Sequence, residues 1–209
     1  MINLQNATIS MNGGQTFKSI DIEVASGDCS VIFGGDGSER SALLECFNDP
    51  DLIADGTYSN SALRVGIVSL REQERLIVRE EIRDDSDLTD QIFSGTPVFD
   101  LLEETSPEKE LLAHLIDFLE LSPLLGKGFR KLSSGESKKI ILARALLIKP
   151  DLLLLEDPLE GLDLVGRTQA SSLIGDLSKS VTKIYSLSRV TDIPEDTNKI
   201  FFLDPSNSS

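Results

Sequence analysis

Glu156 and Asp157 stand side by side at the end of the apolar run Leu152 to Leu155, and the octet Gly34-Gly35-Asp36-Gly37-Ser38-Glu39-Arg40-Ser41 follows a second apolar run, Cys29 to Phe33. Paired acids after a buried strand can orient a divalent cation and polarise a water. A glycine-rich turn that opens a helix can aim backbone N–H groups at phosphate. The octet approaches G-x-x-x-x-G-K-[ST], where amides wrap the phosphate, Lys meets its outer oxygens and the hydroxyl reaches Mg²⁺. Gly34, Gly37, Ser38, Ser41 and the following Ala42 suit that use, and Ser41 with Glu156 would hold the metal. Glu39 stands where glycine is expected and Arg40 where lysine is expected. A planar guanidinium does not replace a compact ammonium in a tight anion hole. At about 5 Å and an effective dielectric of about 20, a carboxylate beside a triphosphate costs roughly 3 kcal/mol, unless Glu39 points outward or pairs with Arg40. A plain strand-turn-helix connection holding no nucleotide is the competing reading, as is a pair of acids that merely caps a turn.

Further along, Leu132-Ser133-Ser134-Gly135-Glu136 precedes an amphipathic helix containing Ala143-Arg144-Ala145-Leu146. Then come Pro150-Asp151, the leucine strand, Glu156-Asp157-Pro158 and Gly161-Leu162-Asp163. In this order and spacing the chain resembles the nucleotide-binding domain of ABC-type ATPases: the signature loop, the Walker B strand and the D-loop. Within that family the pattern is similar to the N-terminal half of the ModF-type (photorepair-type) ATP-binding proteins. The matching residues are Ser41 to Leu43, Phe129 to Glu136, Pro150 to Leu155, Gly161 to Asp163 and Ile193-Pro194.

The resemblance implies ATP and Mg²⁺ as cofactors. It implies a head-to-tail partnership with another ABC-type nucleotide-binding domain, and a membrane permease as a further partner. It gives Arg40 and Ser41 to the bound nucleotide, Glu156 to the metal and Asp157 to the water. It also gives Ser134, Gly135, Glu136 and Asp163 to a nucleotide held across the interface, although Ser134 equally suits an N-cap. Family members carry Asp then Glu where this chain has Glu156 then Asp157, so each acid is off by one methylene. A misplacement of about 1 Å can cost on the order of 10²-fold, so hydrolysis is expected to be weak or absent. The position of the switch histidine falls near Ser188-Arg189, and the only histidine, His114, lies far upstream on a helical pattern. Gln73 is the candidate Q-loop glutamine. Phe17 is a poor adenine platform whose expected place is the core. An active ATPase subunit that energises transport is the alternative to a degenerate half.

These side chains need an α/β scaffold. Residues 2–10 and 17–24 read as strands around the turn Asn12-Gly13-Gly14. Strands are also expected at 29–33, 64–70, 152–155, 183–187 and 199–203, and helices at 41–47, 97–104 and 108–121. The charged stretch 71–90 suits an exposed helix or lid, and 204–209 a polar tail. The fold expectation is a P-loop NTPase core of ABC type with an N-terminal antiparallel β element and a helical subdomain near 74–140, all in one domain of 1–209. In it 29–33 and 152–155 should be neighbouring strands of one sheet.

Thirty-five acidic against 20 basic residues leave a formal net charge of −15, which disfavours a nucleic-acid partner. Cys29 and Cys46 read as core residues of a reducing compartment. No run approaches the roughly 20 apolar residues of a membrane span. A cytoplasmic location, peripheral at the inner membrane, is expected.

Overall fold

A computed structural model describes residues 1–10, 16–84 and 93–203. The turn at 12–14, the end of the charged stretch and the polar tail lie outside the described residues. The chain divides into two compact units: one of Met1–Val65, Asp151–Asp157 and Leu177–Ser209, the other of Gly66–Pro150 and Pro158–Asp176.

The first unit holds two sheets. In the antiparallel one, β1 (Ile2–Ser10) lies between β2 (Thr16–Val24) and β4 (Ile53–Asn60). Alternate residues Ile2, Leu4, Ile20, Ile22 and Val24 turn into the core, the period-two pattern of a half-buried sheet. Phe17 is buried among them with 1% of its surface exposed, so it is a core residue. Within this unit the strands of the parallel sheet run in the order β6 (Leu152–Glu156), β7 (Thr182–Ser186), β3 (Cys29–Gly34), β8 (Lys199–Leu203). β6 and β7 are buried on both faces, as a covered parallel sheet requires. Residues 29–33 and 152–155 therefore share a sheet but are not neighbours, because β7 lies between them with Cys29 opposite Lys183 and Leu153 opposite Lys183 from the other side. Apolar runs announce burial on both faces without naming the strand beside them. Lys183 is 4% exposed and pairs at 2.5 Å with Asp196. Both cysteines are buried thiols, pushed up by burial to about 11 for Cys29 and about 12 for Cys46.

Helix α1 (Gly37–Cys46) follows β3. β5 (Val65–Val68) leads into the second unit, whose helices are α2 (Leu70–Ile82), α3 (Val98–Glu103), α4 (Lys109–Phe118), α5 (Ser134–Leu147) and α6 (Leu164–Gly175). Leu112, Leu115 and Leu119 bury the apolar face of α4, and Ile140 to Ala143 with Leu146 and Leu147 bury α5. His114 is exposed on α4 with its ring 5.8 Å from that of Phe118. Among the described residues no helix is long and apolar enough to cross a membrane.

Candidate functional site

The candidate side chains fall into two sets, one in each unit. In the first unit, β3 delivers the chain into a turn at Gly34 and Gly35, both with positive φ (85° and 58°), and α1 begins at once at Gly37. Asp36 is its N-cap: Glu39 N–H donates to Asp36 Oδ1 at 2.9 Å, and Asp36 N–H donates to Glu39 Oε2 at 3.0 Å. Arg40 N–H donates to the Asp36 carbonyl at 3.3 Å. This reciprocal capping box satisfies amides that an anion at the loop would otherwise take. Glu39 is buried at 4% exposure, so it does not point outward, and its carboxylate accepts from the Asp36 amide. Arg40 instead folds back, donating from Nη1 to the carbonyls of Gly34 (3.1 Å) and Gly35 (3.4 Å), with its Nε buried and lacking a partner. Ser38 Oγ donates to Asp36 Oδ1 at 2.6 Å. That hydroxyl, with the Glu39 N–H, holds the Asp36 carboxyl below the usual carboxylate range. Sequence reasoning missed Asp36, although the Asp-x-x-Glu spacing of a capping box announces it.

Ser41 Oγ donates directly to Glu156 Oε1, joining the first turns of α1 to the end of β6. The two oxygens expected to share a metal are thus in hydrogen-bond contact with one another, the hydroxyl keeping its lone pairs. Among the described residues no group of three or more His, Cys, Asp or Glu is arranged to hold a metal ion. Asp157 follows in left-handed backbone, φ 36°, uncommon for a residue with a side chain. Its N–H donates to the Ser186 carbonyl at 2.9 Å, and its Oδ1 accepts from Ser188 N–H (2.8 Å) and Ser188 Oγ (2.9 Å). Asp157, expected at the water, and Ser188, near the expected histidine position, are therefore bonded to each other.

In the second unit the loop before α5 is built differently. Ser133, not Ser134, is the N-cap: its Oγ accepts from Glu136 N–H at 3.2 Å while Glu136 Oε2 accepts from Ser133 N–H at 2.8 Å. Those bonds and Lys127 at 2.9 Å lower the Glu136 pKa, the Ser133 N–H being the largest cause. Ser134 is left exposed at the first helical position. A Cβ on Gly135 would come within 3.0 Å of the Gly161 carbonyl, so the two loops pack tightly. Asp163 caps α6 through Oδ1 to Gly166 N–H at 2.8 Å. Gln73 sits in the first turn of α2, on a helix rather than in an open loop.

A sequence profile described as "ABC transporter" matches residues 17–160. The chain belongs to the ABC transporter family. It is 24% identical over 197 residues to the ABC transporter ATP-binding protein ModF of Escherichia coli K12, covering 93% of this chain and 40% of ModF. It is 30% identical over 167 residues to the zinc import ATP-binding protein ZnuC of Ruegeria sp. TM1040, covering 79% of this chain and 61% of ZnuC. With the glutamine transport ATP-binding protein GlnQ of Escherichia coli K12 it shares 27% identity over 98% of this chain and 88% of GlnQ. The chain thus spans less than two thirds of ModF and of ZnuC. A bacterial ABC transporter cassette solved as a dimer superposes with a TM-score of 0.69 over 97% of this chain and 94% of its own, at 17% identity. The ATP-binding subunit of another ABC transporter gives 0.75 over 98% and 86%, at 10% identity. These likenesses establish the ABC ATPase cassette fold, a mixed α/β structure with one antiparallel and one parallel sheet.

Proposed function

We propose that this ABC-type ATP-binding protein is a single nucleotide-binding domain with a degenerate Walker A, Walker B and switch-histidine position. It acts as a regulatory half that donates its Leu132-Ser133-Ser134-Gly135-Glu136 loop to the ATP site of a different ABC domain. The carrying observation is the contrast between the two sets. Every departure (Glu39, Arg40, Glu156, Asp157, Ser188) would act on a nucleotide in this domain's own loop. The signature loop keeps Ser134 exposed at the start of a 14-residue helix whose N-terminal field favours an anion. A heterodimer of one working and one degenerate site follows, in the cytoplasm and against a membrane permease at the inner membrane. Reconstituted with its ABC partner, the Ser134→Arg chain is expected to abolish the partner's ATPase and the Arg40→Ala chain to leave it largely intact. Equal inactivation by both removes the proposal.

An active ATPase subunit is the second reading. It is favoured by the survival of both carboxylates at the end of β6 and by relatives named for zinc import and glutamine transport. Steady-state turnover of the purified chain, with Asp157→Asn as control, decides it; turnover that the substitution abolishes supports this reading.

A further inference from the structure

We propose that Glu39 is a built-in occupant of the phosphate cradle, a carboxylate held where a nucleotide phosphate would sit, which excludes a nucleoside triphosphate from this chain's own loop. Three features make the loop a closed unit. The helix starts at Gly37, so the Arg40 amide is already taken by the Asp36 carbonyl. The Glu39 amide is taken by the Asp36 side chain and the Asp36 amide by Glu39 Oε2. The Glu39 carboxylate lies deep enough that a Cβ on Gly35 would meet Oε2 at 2.4 Å. An incoming polyphosphate would have to take those amides from two acids while lying against their charges.

Ser41 Oγ donates to Glu156 at the end of β6, which leaves the hydroxyl lone pairs uncommitted, so the exclusion rests on the carboxylate in the loop and not on the metal side. The cradle does not lack positive charge: Arg40 is present, and its buried Nε–H has no acceptor, a donor still available to an anion. What keeps an anion out is the carboxylate already inside. The inference concerns this domain's own loop and stands whether or not the signature loop serves a partner.

The test is calorimetric titration of the full chain with Mg-ATP and with Mg-ADP, comparing wild type, Glu39→Gly and Glu39→Gln, with thermal melting to confirm folding. Glu39→Gly opens the cradle and is expected to bind Mg-ATP about a hundredfold more tightly than wild type. Glu39→Gln keeps the capping geometry without the charge and is expected to gain in the same direction by a smaller factor. Wild-type binding within threefold of Glu39→Gly overturns the proposal. If Glu39→Gly does not fold, Glu39→Gln decides, and a Glu39→Gln chain no tighter than wild type overturns it equally. Failure of the Ser134→Arg experiment leaves these titrations untouched, so the two ideas fail separately.

Discussion

Gly35 and Glu39 are matched to each other. Position 35 has left-handed backbone and a carboxylate oxygen where a Cβ would go, so Gly35→Ala meets both a conformational penalty and a collision. Only the collision depends on Glu39. A double-mutant cycle of Gly35→Ala with Glu39→Gly, read by urea unfolding, is expected to show a coupling of about 1–2 kcal/mol, with the alanine better tolerated once Glu39 is gone. Glu136 offers a pH test. Its folded pKa lies below the ordinary 4.5, so the stabilisation it brings is complete above that value and is lost as pH falls through the lowered one. Glu136→Gln should therefore be less stable than wild type by roughly 0.5 kcal/mol at pH 7, the scale of a charge at a helix N-terminus. The gap should close in urea midpoints taken across pH as the pH falls from 4.5 through the lowered value and the carboxyl protonates.

Among the elements, β6 and β7 are the most sensitive to change. Leu154 is 1% exposed in a strand covered on both faces, and Leu154→Ala is expected to cost about 2–5 kcal/mol by denaturant unfolding. Lys183 on β7 gives an asymmetric pair of outcomes. Asp196→Ala strands a buried ammonium and should cost on the order of 1–2 kcal/mol, less than a fully buried pair because the Asp196 side chain is half exposed. Lys183→Met removes the charge itself and should stay within about 1 kcal/mol of wild type. The elements that position these residues were mostly legible. Strands 29–33, 152–155, 183–187 and 199–203 are apolar runs between turns, and the α4 face shows its period openly. β4 was not legible, because Ile53–Asn60 is an edge strand whose pairing is made by backbone, with Gly56 at φ 104° pressed against the Ala7 backbone. α6 also went unread: Leu164–Gly175 mixes exposed Leu164 and Val165 with buried Ala170 and Ile174, which blurs any apolar stripe. At the site, Ser41 and Glu156, expected to share a metal, are brought together by a hydrogen bond. The Asp157 and Ser188 bonds were not, because they join turns separated by a whole helix and strand.

For the whole molecule, fifteen excess negative charges oppose association of two identical chains, and two glycine loops occluded as proposed would give such a pair little to share. Sedimentation of the isolated chain at micromolar concentration is expected to show a monomer at low ionic strength, with at most weak association as salt screens the repulsion. A tight homodimer unaffected by salt would count against the heterodimer. The placement of β7 has a further bearing, on the order of assembly during synthesis. β1, β2 and β4 are all complete by Asn60, so the antiparallel sheet can close early. β3 is made early and β6 much later, yet the strand that joins them, Thr182–Ser186, comes after both. Until it emerges from the ribosome, two largely apolar strands have open edges facing a gap. That interval, set by sequence separation rather than by stability, is when this chain is most exposed to aggregation and to chaperones.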